Sequence, residues 1–182
     1  MQLGQLVTMR MGANQRRLST GAAAQRYTYQ DLLADLAAPT AVWPTADQPG
    51  TCHAVQSDDL VFSLMRNRLA PVSPRTVGKV LTQNFVGWHL TTTQVTPQYL
   101  CYCLNQATVV RQQLERLQGG DSTAKLSLSR LQHLDIPILP LTEQRLWGRL
   151  YFNVERQRAL RAHLTTLQTQ VLQGLAGQAT PL

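Results

Sequence analysis

Apolar and polar positions alternate in short, irregular runs over the first half of the chain and settle into helical spacing over the second. "LGQLVTMRMG" holds a strand-like stretch, Leu6 to Met9, that ends at Gly12. The polar, glycine-punctuated "ANQRRLSTGAAAQR" after it reads as a loop. Thr28 is placed to cap "YQDLLADLA" as a short helix, with Asp31 at the third helical position completing a capping box. Residues 39 to 59 carry Pro39, Pro44, Pro49 and Gly50 between short apolar pieces, and no element is assigned there. "DDLVFSLM" then reads as a turn into a strand, and "LAPVS", "GKVLTQNF" and "VGWHL" as further short strands.

The period changes at "TPQYLCYCLNQATVVRQQLERLQ". Thr96 suits an N-cap and Pro97 the first helical position, where no backbone donor is needed. Leu100, Cys103, Leu104, Ala107, Val110, Leu114 and Leu117 recur at three- and four-residue steps until Gly119-Gly120, predicting one amphipathic helix. Ser127 or Ser129 can open a short helix through "RLQHL", and Asp135 to Leu139 reads as a strand that Pro137 confines to a sheet edge. Thr142 is the expected cap of a last helix, with Glu143 near its positive end, running to about Gly174.

That helix is long for a globular unit, and its seam is patterned. Leu146, Leu150, Asn153, Gln157, Leu160, Leu164, Leu167 and Val171 alternate steps of four and three, the heptad spacing of a coiled coil. A second long helix is the expected partner, ahead of packing on the chain's own domain. Asn153 and Gln157 are polar seam residues of the kind that fix register or oligomer state. The fold class is therefore α+β: a small, irregular β-rich domain with packed helices, followed by one long C-terminal coiled-coil helix. The expected division is 1–142 for the domain, 143–175 for the helix and 176–182 for a tail that frays.

Composition sharpens this picture in three ways. At 182 residues, 43% hydrophobic and 15% charged, the chain suits one folded domain with an appendage. No apolar run approaches the roughly 20 residues a membrane span needs, and the first residues lack a signal peptide's basic start, so no membrane partner and a cytoplasmic setting are expected. The net charge of +7 is unevenly spread: residues 1 to 30 and 60 to 114 hold four and five bases with no acid, while 31 to 59 hold five acids with no base. Two acid-free basic segments fit a polyanion-facing surface or, equally, a solvated basic face.

Catalytic chemistry is not evident in the sequence. A DNA methyltransferase needs a cofactor-binding glycine motif and an Asn-Pro-Pro-Tyr or Pro-Cys loop, and neither occurs. Asp58 and Asp59 lack the Glu-x-Lys of a nuclease, and Asp59 is better placed to serve the turn before its strand. Gly119-Gly120 has no following Gly-Lys-Ser/Thr and is a helix stop. His53, His89, His133 and His163 are scattered. Cys52, Cys101 and Cys103 cannot all pair within the chain and are expected as reduced thiols, and with His53 they lack the two-residue spacers of zinc knuckles. No catalytic residue, metal or cofactor is expected.

Five stretches, taken in order, carry a resemblance: "LGQLVTMRMG", "SDDLVFSLM", "LTQNFVGWHL", "VTPQYLCYCLN" and "GGDSTAKLSLSRLQHLDIPILPLTEQRLW". Over about residues 3 to 175 the chain resembles one half of the specificity (S) subunit of a type I restriction-modification system. The last stretch is the most specific, because Pro137, Pro140 and Gln144 keep the family's spacing after the Ser-Leu helix. Residues 13 to 57 do not align, as expected where members read different DNA.

The resemblance implies a non-catalytic target-recognition domain for double-stranded DNA, followed by a spacer helix. Its partners would be a methyltransferase (M) subunit and, where the system restricts, a restriction (R) subunit, with either a homodimer or a second S half rebuilding the two-domain shape. The side chains expected on DNA are Asn14, Gln15, Arg16 and Arg17, whose types pair with base edges, together with Arg66, Arg68, Arg75, Lys79 and Lys125. Two rival readings remain: a degenerate half-subunit that engages other S subunits through its helix, and a detached specificity domain of a fused restriction-methylation enzyme.

Overall fold

In a computed structural model, the described residues are 1–14, 26–37, 53–118 and 126–178, with side chains through 175. A 3₁₀ turn, Leu3–Gln5, leads into β1 (Val7–Met11), and α1 (Tyr29–Ala37) follows. β2 (Asp59–Ser63), β3 (Arg68–Pro71) and β4 (Phe85–Leu90) complete an antiparallel sheet in the order β1-β4-β2-β3. The helices α2 (Pro97–Asn105), α3 (Thr108–Leu117), α4 (Leu128–Leu131) and α5 (Leu141–Gln178) close the chain. This is the expected α+β arrangement of a small sheet, packed helices and a long last helix.

The centre of the sheet is its most apolar part. β2 is buried along its whole length, which is why "LVF" is a continuous apolar run with no polar alternation. In it Phe62 stacks on Trp88 of β4 with ring centroids 4.9 Å apart, and Leu60 sits opposite Trp88 in register. Asp59 is buried at the start of β2 because it is fully engaged: it accepts from the Gln56 amide at 3.0 Å and forms an ion pair with Arg10 of β1. Gly87 of β4 lies against this pair, where a Cβ would stand 3.3 Å from the Arg10 guanidinium. Gly12 ends β1 where a Cβ would come within 2.1 Å of the Thr82 carbonyl oxygen, so only glycine lets the two segments meet.

α1 begins as its sequence predicts. The Thr28 amide donates to the Asp31 carboxylate at 2.9 Å, and the Asp31 amide donates to the Thr28 hydroxyl at 3.2 Å. Further along, buried Asp35 accepts from Tyr27 Oη at 2.8 Å, Thr76 Oγ1 at 2.9 Å and the Ser73 amide at 3.3 Å. That knot ties α1 to the turn after β3. Burial pushes the Asp35 carboxyl pKa up, and the donors around it only partly offset the shift.

Four sequence expectations need correction. The segment 79–83 forms no strand: Val80 bridges Arg26 and Ala54, while Thr82 bridges Ala13, so different partners take its few pairs and no ladder builds. The helix expected over 97 to 118 is two helices, because Gln106 and Ala107 leave helical geometry between α2 and α3. The break lets Asn105 at the end of α2 turn to the free edge of β3, accepting from the Leu69 amide at 2.8 Å and donating to the Leu69 carbonyl at 2.7 Å. Asp135 to Leu139 is outside the sheet and makes one bridge, to Gln2, with Ile136 donating to the Met1 carbonyl at 2.8 Å. Pro137 has no amide with which to continue that pairing. Thr142 lies inside α5, whose first turn is closed by Gln144 donating to the Pro140 carbonyl at 3.0 Å. Ser127 is the cap of α4, accepting from the Arg130 amide at 3.4 Å.

Candidate nucleic-acid interface and exposed helix

The first turns of α5 are locked to the body by the buried residues of one helical face: Gln144, Gly148, Tyr151, Phe152 and Glu155. Gln144 is fully buried, accepting from the Thr96 amide at 2.8 Å and donating to the carbonyls of Gln94 and Leu139, each at 2.8 Å. It thereby joins the start of α5 to the cap of α2. One turn on, a Cβ on Gly148 would lie 2.7 Å from that of Gln98, so glycine sets how closely α5 approaches α2. Tyr151 Oη accepts from Asn105 at 2.7 Å, and buried Glu155 pairs with Arg68 at 3.2 Å and Arg158 at 2.8 Å. Burial disfavours the Arg68 charge, but Tyr151 and Glu155 outweigh it and leave its pKa raised.

Opposite this face lies the heptad seam. At 100° per residue, Leu146, Leu150, Asn153, Gln157, Leu160, Leu164, Leu167 and Val171 fall on the side of α5 facing away from the body. All eight are exposed, with Leu160 at 55%, Leu164 at 57% and Val171 at 61%. From residue 156 to 175 no side chain of α5 is buried. Trp147 and Val154 widen the stripe, and Trp147 stacks on Tyr102 of α2 with centroids 5.2 Å apart.

The basic residues expected on DNA are only partly brought together. Arg66 is exposed and stands over the Tyr29 ring, 5.6 Å from its centroid, and Lys79 pairs with Asp31 at 2.7 Å, so both reach the first turn of α1. Arg75 is exposed in the turn that Asp35 holds. Arg68 is half-buried and engaged with α5, in its ion pair with Glu155. Asn14 is exposed just beyond the Ala13–Thr82 bridge. Gln15, Arg16, Arg17, Lys125 and Cys52 lie outside the described residues.

With this geometry the chain can be set beside known proteins. All of the chain matches the crystal structure of the type I restriction-modification system S subunit from M. genitalium, with a TM-score of 0.60 and 11% identity. The HsdS subunit from Thermoanaerobacter tengcongensis matches 92% of the chain at TM-score 0.52 and 17% identity. A chain from a structure of the type I R-M system, described for its complex assembly and conformational transition, matches all of it at 0.52 and 17%. The fold is that of type I restriction-modification S subunits. The chain spans 45%, 38% and 49% of those three chains, less than half of each. The sequence itself matches no family model and no curated protein.

Several residues of the S-like sequence stretches meet in space. Tyr99, from "VTPQYL", donates to the Pro137 carbonyl of "DIPIL" at 2.9 Å, and Gln144 of "LTEQ" reaches Thr96. These contacts make the stretches a single structural lock. Cys101 and Cys103 are free, buried thiols; burial raises both, Cys103 to about 11, so they act as core packing. Among the described residues no three acidic, histidine or cysteine side chains form a metal cluster, and no helix is long and apolar enough to cross a membrane. Sequence reasoning missed Asn105 and Glu155 and gave Gln144 only as part of a family spacing, not as a lock; the bonds that define these three roles span 36 to 87 residues. The one available signal was an uncharged or single acidic polar residue amid apolar helix positions.

Proposed function

We propose that this chain is a non-catalytic DNA-specificity protein, a single target-recognition unit of a type I restriction-modification system. Residues 1–142 serve as the reading domain, 143–175 as the pairing helix and 176–182 as a tail. The observation that carries this reading is the S-subunit fold over the whole chain, continued by a helix whose apolar stripe faces away from its own body. The unit binds double-stranded DNA through Arg66 and Arg75 together with Asn14, Gln15, Arg16, Arg17 and Lys125. Lys79 and Arg68, each held by a carboxylate, shape the surface and lend less to phosphate binding. Pairing through α5, with a second copy or another S half, brings two such units onto a bipartite site, and a two-fold pair reads an inverted repeat. An M subunit and, where the system restricts, an R subunit in the cytoplasm supply the chemistry.

Phosphate contacts release counterions, so the affinity of the full chain for duplex DNA should fall steeply with salt, by about 0.9 in log-log slope per phosphate held. Selection from random duplexes should also enrich one short motif. Binding that ignores salt, or a pool without an enriched motif, removes the reading. The rival of a helix-mediated interaction module gains some weight from the internal pairing of Arg68 and Lys79, and in that case charge reversal at Arg66 and Arg75 leaves function intact.

A further inference from the structure

A cleft of about 470 Å³ opens where the β2–β3 turn, the α2–α3 break and α5 meet. Arg66, Arg68, Arg111 and Arg158 line it, with Asn67 and Glu115. They come from three separate places in the chain, the β2–β3 turn, α3 and α5, so their convergence is a product of the fold. The charges do not cancel. Glu155, behind the cleft, uses the same oxygen for Arg68 and Arg158, and Glu115 stands 4.0 Å from Arg111 across an exposed pair. Four guanidiniums against two carboxylates leave two positive charges in one concavity. Arg66 has no carboxylate partner among the described residues and rests on the Tyr29 ring. Asn67, at positive φ in the turn, keeps a buried side-chain oxygen without a hydrogen-bond partner, an acceptor that a bound water or hydroxyl can serve.

From this arrangement we infer that the cleft is a phosphate-binding site built by Arg66 and Arg111, with Arg68 and Arg158 held in place by Glu155. Planar guanidinium forks match the oxygens of a tetrahedral oxyanion in bidentate fashion, and two surplus charges suit one dianionic phosphate or two adjacent phosphodiesters. The volume is large enough for a phosphate with its attached sugar. Only the source of the phosphate rests on the proposed DNA reading: the backbone of bound DNA is the expected one, and a free phosphate compound is the other.

The test uses the full chain and the double substitution Arg66→Gln, Arg111→Gln, which spares the Glu155 pairs. Arg116→Gln with Arg145→Gln, two exposed arginines outside the cleft, is the matched control. Each protein is titrated with a 20-base-pair duplex of arbitrary sequence over a salt series, with inorganic pyrophosphate and with polyglutamate, after thermal melts have verified folding. Loss of two phosphate contacts predicts a log-log salt slope shallower by about 1.8 and at least tenfold weaker DNA binding at low salt, with little change in the control. Weakened pyrophosphate binding without any DNA binding assigns the cleft to a free phosphate compound and removes the DNA reading alone. A double variant that binds DNA and pyrophosphate like the control overturns the cleft and leaves the DNA reading standing. Weakening confined to polyglutamate also overturns it, in favour of a protein carboxylate.

Discussion

Asp31 holds the first turn of α1 twice over, by the reciprocal bonds with Thr28 and by its ion pair with Lys79. Burial pushes its pKa up, but Lys79 and the Thr28 donors outweigh this and leave it lowered. A lowered folded pKa stabilises the fold above the unfolded value of 3.8, and that contribution fades as pH falls through the lower folded pKa. Asp31→Asn should therefore destabilise the chain by about 1 kcal/mol near neutral pH, the scale of a lost cap, with the gap to wild type closing below pH ~4. Denaturant midpoints across pH check this, and a gap that widens in acid refutes the assignment. The Thr28–Asp31 half of this device is legible in the sequence, because a capping box is local. The Lys79 half is not, since 48 residues separate the partners and only the fold closes that distance.

At the scale of elements, α5 has one face packed on the body and an opposite apolar face left exposed. The stripe from Leu160 to Val171 is exposed and outside the core, so Leu160→Asp with Leu164→Asp should leave the monomer folded and abolish pairing. Beside the seam stand Arg149, Arg156, Arg161 and His163, and no acid follows Glu155. Two copies of α5 would thus set like charges against each other, and salt should screen that repulsion. Light scattering is expected to show a dimer whose population grows with salt and which the double substitution splits. A monomer at every salt, or a dimer indifferent to the substitution, rejects pairing through this seam. The heptad pattern of α5 and the cap of α2 were readable because both are local and periodic. The break between α2 and α3 was not, because the apolar spacing runs on through Gln106 and Ala107. What interrupts it is the edge of β3, which Asn105 satisfies from outside the helix.

For the whole molecule, stability is unevenly placed. β2, β4 and the helices on them share one apolar cluster that includes Leu60, Phe62, Trp88, Tyr99 and Leu100. The outer part of α5 contributes nothing to it, and an isolated helix of that length is marginal in water. In dilute monomer, amide hydrogen exchange should be slow over β2 and β4 and orders of magnitude faster over residues 157–175. Conditions that favour pairing should protect the outer helix and leave the sheet unchanged. Equal protection along the chain of a verified monomer would falsify this division of stability.

The α+β class, the start of α1, the central strands and the long patterned helix are all legible in the residue order alone. Each follows from spacing, capping or apolar runs within a few residues, and the S-subunit resemblance grew from those same stretches. It takes the folded chain to make Gln144 and Asn105 internal locks, to pair Arg68 with Glu155, and to bring Arg111 and Arg158 to Arg66 around one cleft. These pairings depend on which surfaces meet after collapse. No local period encodes them, and an arginine's stem lets it serve a carboxylate inside or a phosphate outside with the same residue letter.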